Sequence, residues 1–134
     1  MKYYSILFLA LFILHSSCNQ EPSVKPAENA TDAAREFVRA ALDGDYPRAS
    51  GYLLKDSVNL LLFERQKSNY SQMSTEQKEG FRSSSIRPIA IEKLNDTVSI
   101  FRYYHSANPS DTFPLRVKKE NGLWLVDLKS VIKM

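Results

Sequence analysis

Few residues in this chain are of types that carry out chemistry, and the first pair of interest is Arg102 and Tyr104. They stand two apart in a segment where Val98 and Ile100 already alternate with polar neighbours. Continuing that alternation puts Arg102 and Tyr104 on the apolar, helix-facing side of a strand. A cation there is costly unless it is paired or sits at an open rim. The chemistry expected is ligand binding at a cavity mouth, with Arg102 holding an anionic group and Tyr104 offering a hydroxyl. The plainer alternative is that Arg102 snorkels past the sheet end or pairs with Glu36 or Glu64. By the same alternation Tyr103 and His105 point to the outer face beside Phe101.

No catalytic set can be assembled from the sequence. The two histidines are His15 and His105, and no serine sits in a nucleophile elbow. Two-carboxylate chemistry needs two acids inside one cavity, and the strand pattern supplies none. One histidine beside no free thiol does not make a transition-metal site. Asp43 and Asp45 flank Gly44 without the spacing of a calcium loop. No cofactor motif, phosphate loop or nucleic-acid motif appears.

Cys18 is the chain's single cysteine. It follows an apolar run over residues 6–14, a positive start at Lys2 and the small residues Ser16 and Ser17. That is the layout of a bacterial lipoprotein signal, so residues 1–17 are expected to be removed and Cys18 acylated through its sulfur. The apolar stretch of residues 3–14 would extend only about 18 Å as a helix, against a hydrocarbon core of about 30 Å. An ordinary signal cut before Cys18 would place His15 where a small residue belongs. Leu14 lies four residues before the cysteine, where the usual lipoprotein pattern has three. A lone thiol in an exported chain has no internal partner, and thioether attachment to lipid accounts for it. The expected address is the cell envelope, on the periplasmic or outer-membrane side.

Without the leader the chain carries 17 basic against 15 acidic side chains, too even a balance to attract polyanions. Residues 18–30 hold two prolines and almost nothing apolar, and read as the acylated residue plus a flexible tether. Residues 31–134 then form one α+β domain. Thr31 is a plausible cap for a helix with Ala34, Phe37, Val38, Ala41 and Leu42 on one stripe. Gly44 ends it, and Asp45 with Pro47 begins a short second helix. A third starts at Asp56 or Ser57 with Val58, Leu61 and Leu62 inward. A capping box at Ser74 and Gln77 opens a weak surface helix, a lid or a connector, with only Met73 and Phe81 to bury.

Four strands follow, over residues 86–94, 97–105, 111–120 and 123–128. Two-residue turns at Asn95-Asp96 and Asn121-Gly122 fix the registers. Residue 119 then faces 124, 117 faces 126 and 115 faces 128, putting Leu115, Val117, Trp124, Val126 and Leu128 on one face. Arg116 would meet Asp127 in solvent on the other. In the first hairpin Ile89, Ile91, Val98 and Ile100 share the inner face. The expected fold is α+β, with N-terminal helices packed on one face of a curved four-stranded antiparallel meander.

The run Ala-Ala-Arg-Glu-Phe-Val-Arg-Ala-Ala-Leu-Asp-Gly-Asp-Tyr-Pro-Arg-Ala and the terminal Lys-Lys-Glu-Asn-Gly-Leu-Trp-Leu-Val-Asp-Leu resemble the nuclear transport factor 2-like, cystatin-like superfamily. The chain is similar to small lipoproteins of unknown function within it. The resemblance covers nearly the whole mature domain and rests on structural residues: Phe37 and Val38 in a helix, Gly44-Asp45 at a corner, Trp124 in the core. It implies a sheet wrapped round a helix to leave a cone-shaped cavity. Members include isomerases, dehydratases, polyketide cyclases and non-catalytic binding domains, so the fold does not select among them. The isomerases use an acidic base with tyrosine donors, and no such acid maps onto the inward strand positions. The expected function is a membrane-anchored, non-catalytic module binding a small molecule or an envelope protein. The alternative is a small isomerase- or cyclase-type enzyme, which requires an acid or histidine facing into the cone. The oligomeric state stays open.

Overall fold

The computed structural model describes residues 23–131. Asn29, in extended conformation, caps helix α1 (Ala30–Asp43) by accepting from the Asp32 N–H at 2.9 Å. The helix therefore starts before Thr31, whose expected capping role Asn29 takes. Gly44 closes it at φ +77°, donating to the Ala40 and Ala41 carbonyls, a left-handed turn that glycine adopts without steric cost. Asp45 caps α2 (Tyr46–Ser50), with Pro47 in the first turn where its missing N–H is harmless.

Asp56 caps α3 (Ser57–Ser71), and the capping box of Ser74 and Gln77 opens α4 (Thr75–Ser83). The inward side of α3 differs from the expected one. Val58 and Leu61 are exposed, and Asn59 and Phe63 are buried instead. The helix is rotated because Asn59 bonds inward. Its amide donates to Asp127 at 3.2 Å and to Asp56 at 2.9 Å, and its carbonyl accepts from the Leu128 N–H at 2.8 Å. A side chain with that many partners is satisfied in the interior.

The strands are β1 (Ile86–Asn95), β2 (Val98–His105), β3 (Asn108–Glu120) and β4 (Leu123–Asp127), in one antiparallel sheet of order β1-β2-β3-β4. The Asn121-Gly122 turn has φ of 50° and 79°, the double positive φ of a type I′ hairpin. Lys119 faces Trp124 and Val117 faces Val126, as the turn dictates. Leu128 falls outside the strand and opens a 3-10 turn (Leu128–Val131). Asp127 stands opposite Arg116, but it is buried rather than in solvent, because Asn59 and the Lys129 N–H donate to it.

The first hairpin departs from expectation by one residue. Asn95 pairs with Val98, so the loop is Asp96-Thr97, and register shifts fall at Lys93/Asn95 and Pro88/Ala90. Ile91 accordingly faces Phe101 instead of Ile100. In β2 the inward set becomes Phe101, Tyr103 and His105, with Phe101 opposite Leu115 and Tyr103 opposite Phe113. A one-residue slip exchanges the two faces of a strand, and here it exchanges the two candidate sites.

The core gathers Phe37, Phe63, Leu53, Phe101, Leu115, Val117 and Val126 between α1 and the sheet. Trp124 only packs against its edge, half-buried, with the Lys119 ammonium 5.6 Å from its ring. Residues 52–54 run parallel to β4 and cover its open side, with the Val126 N–H donating to the Tyr52 carbonyl at 2.7 Å and Leu54 to Val126 at 2.9 Å. Part of the expected tether is docked as well. Val24 and Ala27 pack on the core, Val24 lies against Gly51, and the Tyr52 hydroxyl donates to the Lys25 carbonyl at 3.0 Å. The domain thus takes in residues from Val24 on. Cys18 and the leader lie outside the described residues.

Candidate functional site

A cavity of about 500 Å³ opens between the C-terminal half of α1, one side of α3, Phe81 of α4, and strands β2 and β3. Its apolar walls include Phe37, Val38, Leu42, Leu62, Phe113 and Leu115. Helix α3 contributes Leu62, Arg65, Gln66, Asn69 and Tyr70, a set spaced at three and four residues and so on one helix face. That stripe is mostly polar although it faces a cavity, while Val58, Leu60 and Leu61 are exposed. A helix built this way has no ordinary amphipathic pattern, and its polar inner stripe belongs to the site.

His105 lies at the buried end. Its ring stacks on Phe113 at 5.6 Å and meets Phe81 edge-on at 5.3 Å. Burial lowers its pKa, with Asp111 opposing, so the imidazole is neutral near pH 7. Its Nδ1 is buried without a hydrogen bond, and so is the Tyr70 hydroxyl. Each such atom costs about 1–3 kcal/mol until something pairs with it. Tyr103 stacks on Phe101 at 5.5 Å, and burial raises the pKa of its phenol. The Tyr46 phenol is pushed up to about 12 by burial and by Tyr70, and it donates weakly to the Gln66 carbonyl at 3.4 Å. The Tyr46 and Tyr103 phenols therefore keep their protons at neutral pH.

Helix α4 closes one side and is held by Arg39. The Arg39 guanidinium donates to the carbonyls of Ser84 at 2.7 Å, Arg82 at 3.1 Å and Phe81 at 3.2 Å, and pairs with Asp43 at 2.7 Å. A cation at the C-terminal carbonyls satisfies them and opposes the helix dipole. The capping-box helix is therefore a wall of the cavity that carries Phe81.

This arrangement of helices and sheet is similar to one solved structure, an NTF-2-like protein of unknown function from Shewanella oneidensis MR-1. The two share 15% identity, with 72% of this chain and 89% of that one aligned at a TM-score of 0.53. The fold is nuclear transport factor 2-like. No family model and no curated protein matches the chain.

Within this nuclear transport factor 2-like fold, Arg102 and Tyr104 do not line the cone. Arg102 is exposed and lies 3.8 Å from Glu92 across the hairpin, and Tyr104 is half-buried away from the cavity. Neither Glu36 nor Glu64 reaches Arg102: Glu36 binds Arg48 at 2.5 Å and Glu64 lies 3.7 Å from Lys67. The residues brought together are Tyr46, Arg65, Asn69, Tyr70, Tyr103 and His105. The signal for His105 was present in the aromatic alternation Phe101, Tyr103, His105 facing Phe113 and Leu115. No sequence signal marked Arg65 or Asn69. Among the described residues no group of three or more acids, histidines or cysteines is placed to hold a metal.

Proposed function

We propose that this protein is a membrane-anchored, non-catalytic lipoprotein module that takes a small, largely apolar molecule into its cone. The observation that carries the ligand reading is the cavity itself. About 500 Å³ lies within the range of small-molecule sites, and its walls are mostly apolar and aromatic side chains with a few polar ones from α3. The anchoring reading rests on the leader and Cys18.

The test of the cavity uses N-phenyl-1-naphthylamine, a neutral dye that brightens out of water. The full-length chain should bind it, and Ala41→Leu, which extends a wall residue inward, should weaken binding at least tenfold. Equal binding by the variant places the dye elsewhere and removes the reading. Anchoring is tested by expression in a bacterial host: Cys18→Ser should move the protein from the membrane to the soluble fraction and lose the added acyl mass.

A second reading, a small isomerase- or cyclase-type enzyme, is favoured by one observation. His105 meets the requirement for a neutral base inside the cone, which Tyr46, Tyr70 and Tyr103 also line. Among the described residues the cavity wall has no carboxylate, so this enzyme would work through His105. Proton exchange on a bound ketone that disappears in His105→Gln would select this reading over simple binding.

A further inference from the structure

We infer that the cone selects a singly charged carboxylate with a flat apolar body, held by Arg65 at the rim; this rests on the cavity reading above. Among the described residues that line the cavity, Arg65 is the single arginine or lysine, and no aspartate or glutamate is among them. Arg65 is exposed, as a rim residue must be, and has no carboxylate partner among the described residues. The neighbouring pair Glu64 and Lys67 engage each other instead. Asn69 lies one turn along the same face of α3 and also lines the mouth, which adds an amide donor beside the guanidinium. A planar guanidinium matches a carboxylate with two parallel hydrogen bonds.

The inner part selects shape. Phe113, Tyr103 and Phe81 line it together with the His105 ring. Such surfaces receive a flat ring by offset stacking or edge contact. No aspartate, glutamate, lysine or arginine is among the described residues of this aromatic part, so a second charge buried at that end would go unpaired. One charge outside and a flat neutral body inside is the ligand the lining describes.

The experiment titrates the full-length chain calorimetrically with three probes of one shape: 2-naphthoate, 2-naphthylmethanol and 2-naphthylmethylammonium. 2-Naphthoate should bind at least tenfold more tightly than the alcohol, and the ammonium more weakly than either. Arg65→Gln should bring the carboxylate down to the alcohol's affinity, while Arg65→Lys keeps part of the preference. Arg65 is exposed, so both variants should melt as the parent does. Equal affinity for all three probes, with the neutral dye still bound, overturns the charge selection and leaves the cavity reading standing. Failure of the probes and the dye together overturns both. A preference for 2-naphthoate that survives Arg65→Gln assigns the anion to another group and overturns the role of Arg65.

Discussion

Gly44 and Tyr70 meet so closely that a methyl group built on Gly44 would stand 2.6 Å from Cε1 of the tyrosine ring. The helix corner at the end of α1 and the Tyr70 ring that lines the cavity are thereby one structural unit. Gly44 has φ +77°, so two constraints act on it: a left-handed backbone and a ring against its Cα.

Gly44→Ala should destabilise the protein by about 1–3 kcal/mol, through backbone strain and displacement of Tyr70. It should also weaken binding of the neutral dye by more than Tyr70→Phe does, since the whole ring moves. Chemical denaturation and dye titration of the two variants check this. An unchanged midpoint for Gly44→Ala would contradict the contact.

Asn59 should be the most sensitive polar residue of the fold. Asn59→Ala removes donors to Asp56 and Asp127 and the acceptor for the Leu128 N–H. A loss of about 2–4 kcal/mol is expected, since buried partners are left short of a bond. Asn59→Leu should not rescue it, although leucine is apolar and of similar size. A denaturation curve unchanged in either variant would mean that this polar cluster is not holding α3 to the end of β4.

Stability should fall on acidification below about pH 6.5, the ordinary value for an unfolded histidine. Burial between Phe81 and Phe113 lowers the folded-state pKa of His105, with Asp111 acting against it. Below about 6.5 the unfolded chain therefore binds more protons than the folded one, and unfolding is favoured as pH drops through the folded value. The contribution is complete above about 6.5. His105→Gln should flatten this part of the pH profile, which thermal melts between pH 7.5 and 5 would reveal. A wild-type profile flat over that interval would contradict a neutral buried His105.

Arg102→Ala should change stability by no more than about 0.5 kcal/mol and leave dye binding intact. Its side chain is half exposed, 3.8 Å from Glu92, and exposed pairs of this kind contribute little. Loss of binding in this variant would return the site to the outer face of the hairpin.

Helix α1, its Gly44 stop, the Asn121-Gly122 turn and the register of β3 with β4 were legible in the sequence because each is set by local chemistry: a periodic apolar stripe, or a turn needing positive φ. The cavity was not, for two physical reasons. Asn95-Asp96-Thr97 permits a two-residue loop at either of two positions. The observed one, with the shifts at Lys93/Asn95 and Pro88/Ala90, turned Tyr103 and His105 inward and Arg102 and Tyr104 outward. In α3 the apolar Val58 and Leu61 suggested an inner side, but Asn59 claimed it through bonds to Asp127 and Leu128. Those partners are nearly seventy positions away in sequence, and no periodicity reports them. Arg65 and Asn69 came to the cavity mouth with that rotation.

The measurement closest to the central claim is a solution NMR titration of the isotope-labelled full-length chain with 2-naphthoate. Shifts should concentrate at Phe37, Tyr70, Phe81, Tyr103 and the His105 ring, with intermolecular contacts from the naphthyl protons to Phe81 and Phe113. Ile89, Ile91 and Leu94, which are exposed on β1, should stay still. Shifts confined to those β1 residues, or none within the cone at millimolar probe, would contradict the account.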